Sequence, residues 1–185
     1  MSHLEIGELE ARLDHIRTAP GELGTLELIA RRPGEDEREL LEAGELDLEQ
    51  GLVGDMWHRR PSSSRGDGRP NPNAQVTVMN ARAAAAVAAG DDRERWAQAG
   101  DQLYVDLDIS EMNLPPGTRL QVGDAVLEVT PDPHLGCGKF SRRFGVDAMK
   151  FVNSATGREL RLRGVNTRVV TPGAITRGDV VRKLA

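Results

Sequence analysis

Apolar residues recur along this chain in two different periods. Leu9, Leu13 and Ile16 are spaced for one face of a helix, and Ala19-Pro20-Gly21 closes the segment, so the pattern predicts an amphipathic helix over residues 4–18. Leu26, Leu28 and Ala30 alternate with polar neighbours instead, which predicts a strand ending at Arg32-Pro33-Gly34. Short strands follow at 75–79, 102–108, 119–122, 125–130, 159–162, 168–171 and 180–183. The run from Glu35 to Glu49 is acidic and reads as a solvated hairpin or loop with a short strand around Leu46. Gly123-Asp124 marks a β-hairpin, and Pro172-Gly173 and Gly178-Asp179 mark further turns. Three more helices are expected: one at 81–89 capped by Asn80, one at 93–99 capped by Asp91, and one at 146–152. Residues 61–74 are rich in Pro, Gly, Ser and Asn and read as an exposed loop, with the Arg-Gly-Asp at 65–67 a chance triplet. Many short strands separated by Gly and Pro turns predict a mainly β (α+β) fold. Its expected form is a closed or partly closed barrel with a few peripheral helices.

At 185 residues the chain is expected to form a single domain over 1–185, with 1–21 as a helical extension on a core at 22–181. One cysteine allows no internal disulfide and suits a reducing compartment. The opening residues are acidic and lack the apolar segment of a secretory signal, and no apolar run is long enough to span a bilayer. A cytoplasmic location with no membrane partner is therefore expected. Charge is divided unevenly: residues 1–50 hold 14 acidic and 5 basic side chains, and residues 51–185 hold 15 and 19. Between Thr130 and Val170 the basic residues outnumber the acidic by 8 to 3, a local field suited to a small anion. Aromatics are scarce, at 3%, so stacking platforms for nucleic acid are not expected. Neither a phosphate-binding Gly-rich loop with its lysine nor a nucleophile-elbow serine is present.

The candidate chemistry gathers at residues 131–144, Pro-Asp-Pro-His-Leu-Gly-Cys-Gly-Lys-Phe-Ser-Arg-Arg-Phe. Cys137 lies between two glycines, with His134 before it and Lys139, Arg142 and Arg143 after it. Cationic neighbours stabilise a thiolate, and glycines let a ligand approach the sulfur. A second candidate stretch is Gly51-Leu52-Val53-Gly54-Asp55, followed by Trp57, His58, Arg59 and Arg60, where Asp55 is placed to cap a tight turn. Asn113 lies in a turn-rich connection at 110–118. Two other readings stay open. Cys137 is a packed apolar side chain in one, with Arg142 and Arg143 paired to the acidic N-terminal half. In the other, His134 and Cys137 form half of a zinc site completed by His58, His15 or His3.

In this order, Gly51–Asp55, the Gln75-Val76-Thr77 strand, Asn113-Leu114, Gly123-Asp124, the Cys137 loop, Pro172-Gly173 and Gly178-Asp179 resemble the MOSC domains. These are named for the C-terminal domain of molybdenum cofactor sulfurases. The resemblance runs from about Glu22 to Val181 and is to the small stand-alone bacterial members. It implies a barrel-like fold, a single cysteine that carries sulfane sulfur or ligates molybdenum, and a basic pocket for the anionic pterin of the molybdenum cofactor (molybdopterin). Family-level associations include molybdenum-ion and pyridoxal phosphate binding. By this resemblance Cys137 is the reactive position, and the molybdenum ligand if the metal is bound. Arg142, Arg143, Lys139, His134, Arg59, His58, Asp55 and Asn113 are the expected cofactor-binding residues. The chain departs from the family pattern ahead of Asn113, where Ser110-Glu111-Met112 stands, and after Asp55. An aminotransferase-like domain is not expected within these residues. Sulfur is therefore expected from a partner such as a cysteine desulfurase, with a molybdenum-enzyme client as the alternative partner. A related expectation is reduction of N-hydroxylated compounds at bound molybdenum, and the non-catalytic alternative is an anion- or partner-binding barrel.

Overall fold

A computed structural model describes residues 3–61 and 66–185. Part of the 61–74 loop, Arg65 of the Arg-Gly-Asp triplet and the first two residues of the N-terminal extension lie outside the described residues. The extension forms two short helices, α1 (Ile6–Glu10) and α2 (Leu13–Arg17), where one helix was expected. Leu9 and Ile16 are buried, and Leu13 packs beside them. The strands follow: β1 (Leu23–Arg31), β2 (Glu39–Leu41), β3 (Ala43–Asp47), β4 (Gly51–Leu52) and β5 (Val76–Asn80). Helices α3 (Ala81–Ala88) and α4 (Arg93–Ala97) lead to β6 (Leu103–Asp106) and to the hairpin of β7 (Arg119–Val122) and β8 (Ala125–Val129). Helices α5 (Gly138–Phe144), α6 (Val146–Asn153) and α7 (Ala155–Glu159) come next. The chain finishes with β9 (Val165–Thr171), β10 (Gly173–Thr176) and β11 (Val180–Lys183).

Seven strands close a barrel in the order β1-β6-β5-β9-β8-β7-β11, with β11 pairing back onto β1. Among the described residues only the β5–β6 pair is parallel. Strand β2 extends the far end of β1, while β10, β3 and β4 form a small sheet of their own. The barrel is filled by Leu26, Ile29, Val78, Leu103, Val105, Leu120, Leu127, Val165 and their neighbours. A second core lies outside the barrel wall, where Leu28, Ala30, Met79 and Tyr104 meet the helices. Strand β1 serves both cores through an irregularity between Leu26 and Leu28. Leu26 stays opposite Val105 inside the barrel, whereas Leu28 falls opposite Tyr104 on the helix side. The simple alternation of Leu26, Leu28 and Ala30 therefore does not put them on one face.

Three further expectations change at this level. Residues 138–144 form a helix and not a continuation of the loop, because Phe140 and Phe144 stand one turn apart and bury together, with ring centroids at 4.9 Å. Asp92, not Asp91, caps α4, accepting from the backbone N–H groups of Glu94 and Arg95. The strand expected at 159–162 is instead the end of α7 and a turn, in which Arg161 takes a left-handed conformation with φ of 49°. Asn80 caps α3 as expected, accepting from Ala83 N at 3.0 Å. Phe140 anchors α5 against the helix-side core, so Phe140→Ala is expected to cost about 3–5 kcal/mol of stability, read by chemical denaturation. A loss below 1 kcal/mol would show that α5 does not depend on that anchor.

Candidate functional site

The loop leading into α5 is clamped from both sides. The Asp132 carboxylate accepts from the amides of Asn71 at 2.7 Å and Asn73 at 3.0 Å. The Asn166 amide donates to the carbonyls of Asp132 and Pro133. Beyond them, Asn153 grips Gly136 by a reciprocal pair: Gly136 N donates to its Oδ1 at 2.9 Å and its Nδ2 donates to Gly136 O at 3.1 Å. Cys137 is thereby fixed at the N-cap of α5, with its side chain exposed.

The thiol opens into a cleft of about 360 Å³ lined by Arg32, Arg38, Arg60, Lys139, Arg143 and Arg163, with His134, Glu35 and Asp36. One backbone segment organises most of these cations. Where α4 ends, four successive carbonyls each accept from a guanidinium. Arg38 Nε donates to Ala97 O at 3.0 Å, and Arg143 Nη1 to Gln98 O at 2.9 Å. Arg163 Nη2 donates to Ala99 O at 2.8 Å, and Arg32 Nη1 to Gly100 O at 3.0 Å. Helix C-termini leave carbonyls without intrahelical donors and carry partial negative charge, so this segment recruits cations. Crowding is evident at Arg38, whose pKa is lowered by burial and by the facing charges of Arg143 and Arg32.

Two buried carboxylates hold two of the arginines from behind. Asp55, completely buried, takes Arg32 through both oxygens, Nε to Oδ2 at 2.9 Å and Nη2 to Oδ1 at 2.8 Å. It also accepts the backbone N–H groups of Arg32 and Trp57. Gly54 makes this geometry available: its φ is 81°, and a methyl group there would lie 2.7 Å from the Arg31 guanidinium. Asp101, also completely buried, takes Arg163 Nη1 at 2.5 Å. Burial pushes the Cys137 thiol up, but the N–H groups of Phe140 and Lys139 and the charges of Arg163 and Arg143 outweigh it. The net effect lowers its pKa.

The sequence-derived candidates divide clearly. Cys137, His134, Lys139, Arg143 and Arg60 line the cleft. Arg142 is exposed and does not line it. Asp55 lies beneath the cleft with its oxygens engaged by protein donors, so it orients Arg32. His58 directs Nδ1 at Asp55 O, 3.0 Å away, and Arg59 donates to Pro33 O. Asn113 lies elsewhere, donating to the carbonyls of Gly21 and Asp108 and accepting from Lys183, a scaffold role. Arg32, Arg38, Arg163 and Asp101 were not legible in the sequence, since nothing local to them shows which carbonyls or carboxylates they meet. Among the described residues no group of three or more His, Cys, Asp or Glu side chains is placed to hold a metal ion, so the His134–Cys137–His58 zinc arrangement does not form. A second groove of about 510 Å³, with Trp57, Asn71 and Asn166 in its walls, shares Arg32, Arg60 and His134 with the cleft.

At the rim an acidic strap between β1 and β2 caps the cations. Lys139 pairs with Glu35 at 2.8 Å and with Asp36 at 3.7 Å, and Arg143 pairs with Asp36. Lys139 holds the exposed Glu35 carboxyl below its ordinary value. Such exposed pairs are individually weak in water, so an incoming anion displaces them readily. A Glu35→Gln/Asp36→Asn variant should bind inorganic phosphate about three- to tenfold more tightly by calorimetry. Asparagine keeps the left-handed backbone at position 36, where φ is 59°. Unchanged or weaker affinity would contradict the strap's competing role.

Comparison with known proteins agrees with this architecture. The family model described as the MOSC domain matches residues 65–182. Among solved structures, the YuaD protein from Bacillus subtilis superposes with a TM-score of 0.58 at 15% identity, covering 86% of this chain and 94% of that one. YiiM from Escherichia coli gives a TM-score of 0.55 at 17% identity, covering 87% and 70% respectively. A hypothetical protein gives 0.59 at 18% identity, covering 89% and 69%. A comparison with curated proteins finds no match. At these identities the structural likeness speaks to the fold, and the family model speaks to membership. Barrel, ordered motifs and family match agree: the chain belongs to the MOSC domain family.

Proposed function

We propose that the cleft holds the anionic pterin of a molybdenum cofactor and that the Cys137 thiolate is its sulfur ligand or a carrier of sulfane sulfur. The family is associated with molybdenum cofactor binding. The observation that carries the reading is an exposed, acidified thiol facing a cleft of six cationic side chains. The donor set fits the group: a soft thiolate suits molybdenum, and guanidinium forks suit a phosphate. Arg143, Lys139 and Arg60 would hold the anionic cofactor, while Arg32 and Arg163, pinned by carboxylates, keep the field fixed around the cleft. When bound, the cofactor supplies a redox-active metal centre.

For sulfur transfer the chain's own part is simpler. The Cys137 thiolate attacks the outer sulfur of a donor persulfide, a new S–S bond forms at Cys137, and the donor leaves as its thiolate. A cysteine desulfurase is the donor class that fits, and a molybdenum enzyme is the client. The neighbouring groove beside Trp57 offers room for an organic molecule, which supports reduction of N-hydroxylated compounds as the second reading. No described helix is long and apolar enough to cross a membrane.

Molybdenum analysis and intact mass of protein purified from a host that makes the cofactor test the reading. Wild type should carry molybdenum or the added mass of one sulfur atom, and Cys137→Ser should carry neither. Wild-type protein with neither adduct would overturn it.

A further inference from the structure

Three clefts meet at one residue. His134 borders the Cys137 cleft, the groove beside Trp57, and a third cleft of about 270 Å³ behind the 131–135 loop. Its Nε2 lies 3.1 Å from Asp101 Oδ1. Among the described residues neither atom has another protein partner, and they meet obliquely, outside ordinary hydrogen-bond angles. The other Asp101 oxygen is committed to Arg163. Gly164 leaves the pair its space: a methyl group there would lie 3.0 Å from Asp101 Oδ1 and 3.3 Å from His134 Cδ2.

A buried carboxylate oxygen and a buried ring nitrogen that face only each other determine where the proton sits. With a lone pair on Nε2, two acceptors would confront each other without a donor. A proton on Nε2 removes that confrontation and sets a donor 3.1 Å from the carboxylate oxygen. Burial and the Arg163 charge disfavour the imidazolium against the pull of Asp101, and the balance lowers the His134 pKa and leaves the ring neutral at pH 7. Arg32 acts in the same direction, and Arg60, Asp132 and Arg161 line the clefts around it. Nδ1 then carries the lone pair and is the nitrogen left for a ligand.

We propose that Asp101 is a positioning residue that holds His134 as its Nε2–H tautomer, so that Nδ1 accepts a proton from an acidic O–H or S–H of a ligand in the Cys137 cleft. In that transfer the ligand's O–H or S–H bond breaks, its electron pair stays on the ligand, and an Nδ1–H bond forms. The resulting imidazolium rests against the Asp101 carboxylate, which stays ionised. Only the identity of the ligand rests on the molybdenum-cofactor reading; the tautomer does not.

Long-range ¹H–¹⁵N NMR of the ligand-free protein at pH 7 tests the pair directly. His134 should show the neutral Nε2–H signature in wild type. In Asp101→Asn, whose side chain can donate as well as accept, it should shift toward the Nδ1–H form, while His58 stays unchanged. If that variant does not fold, wild type decides: an Nδ1–H tautomer or an imidazolium there overturns the proposal. Adding inorganic phosphate, which brings O–H donors, should move the His134 Nδ1 resonance. Phosphate that shifts the Lys139 and Arg143 amides but leaves His134 silent overturns the proton-acceptor role and spares the anion site. An absence of phosphate binding counts against the anion site, and the tautomer result then decides for or against Asp101.

Discussion

Four consecutive backbone carbonyls, at residues 97–100, are the support on which the site is assembled. Each holds one guanidinium, and the four arginines arrive from distant stretches of chain, at positions 32, 38, 143 and 163. Hydrogen bonds to charged groups are worth about 1.5–3 kcal/mol each, enough to hold like charges together where water would otherwise separate them. The arrangement is stable because carboxylates share the load. Asp55 and Asp101 neutralise from beneath, where they are completely buried, and Glu35 and Asp36 neutralise from above, where they are exposed. That difference in burial makes the lower pair scaffold and the upper pair displaceable.

The barrel explains why these stretches converge. Arg32 follows β1, Arg38 precedes β2, Arg163 precedes β9, and the Cys137 loop follows β8, so strand pairing fixes the places from which their side chains reach the 97–100 segment. The irregularity in β1 lets one strand seal the barrel interior and the helix-side core together. Helix α5, anchored by Phe140 and Phe144, carries Lys139 and Arg143 on the side that lines the cleft and presents Cys137 at its N-cap. Arg163 also lies over the Phe140 ring, its Cζ 5.1 Å from the centroid, so anchor and charge are packed as one unit.

Much of this was legible in the sequence. The β7–β8 hairpin, the Asn80 cap, the barrel strands and the cysteine loop all follow from local chemistry: alternation, turn residues and a capping side chain. Helix α5 was missed because Gly136 and Gly138 around Cys137 read as loop, although the Phe140, Phe144, Ala148 and Phe151 spacing carried the helical signal. Asp55 and Asn113 are expected in the pocket through the family resemblance, and a polar side chain in a turn looks the same from the sequence whether it faces a ligand or the protein's own groups. The carbonyl–arginine row was invisible for a stronger reason: backbone carbonyls have no residue identity, and their partners lie up to 68 positions away in the chain.

The account stands on the N–H groups at the start of α5 and the arginine-built field together lowering the Cys137 pKa. Since the chain has one cysteine, ultraviolet absorbance of the thiolate across a pH titration reports that residue alone. A wild-type midpoint clearly below the ordinary thiol value of about 8.5, moving upward in Arg143→Gln, is the predicted result. A midpoint at or above the ordinary value, indifferent to Arg143, would contradict it.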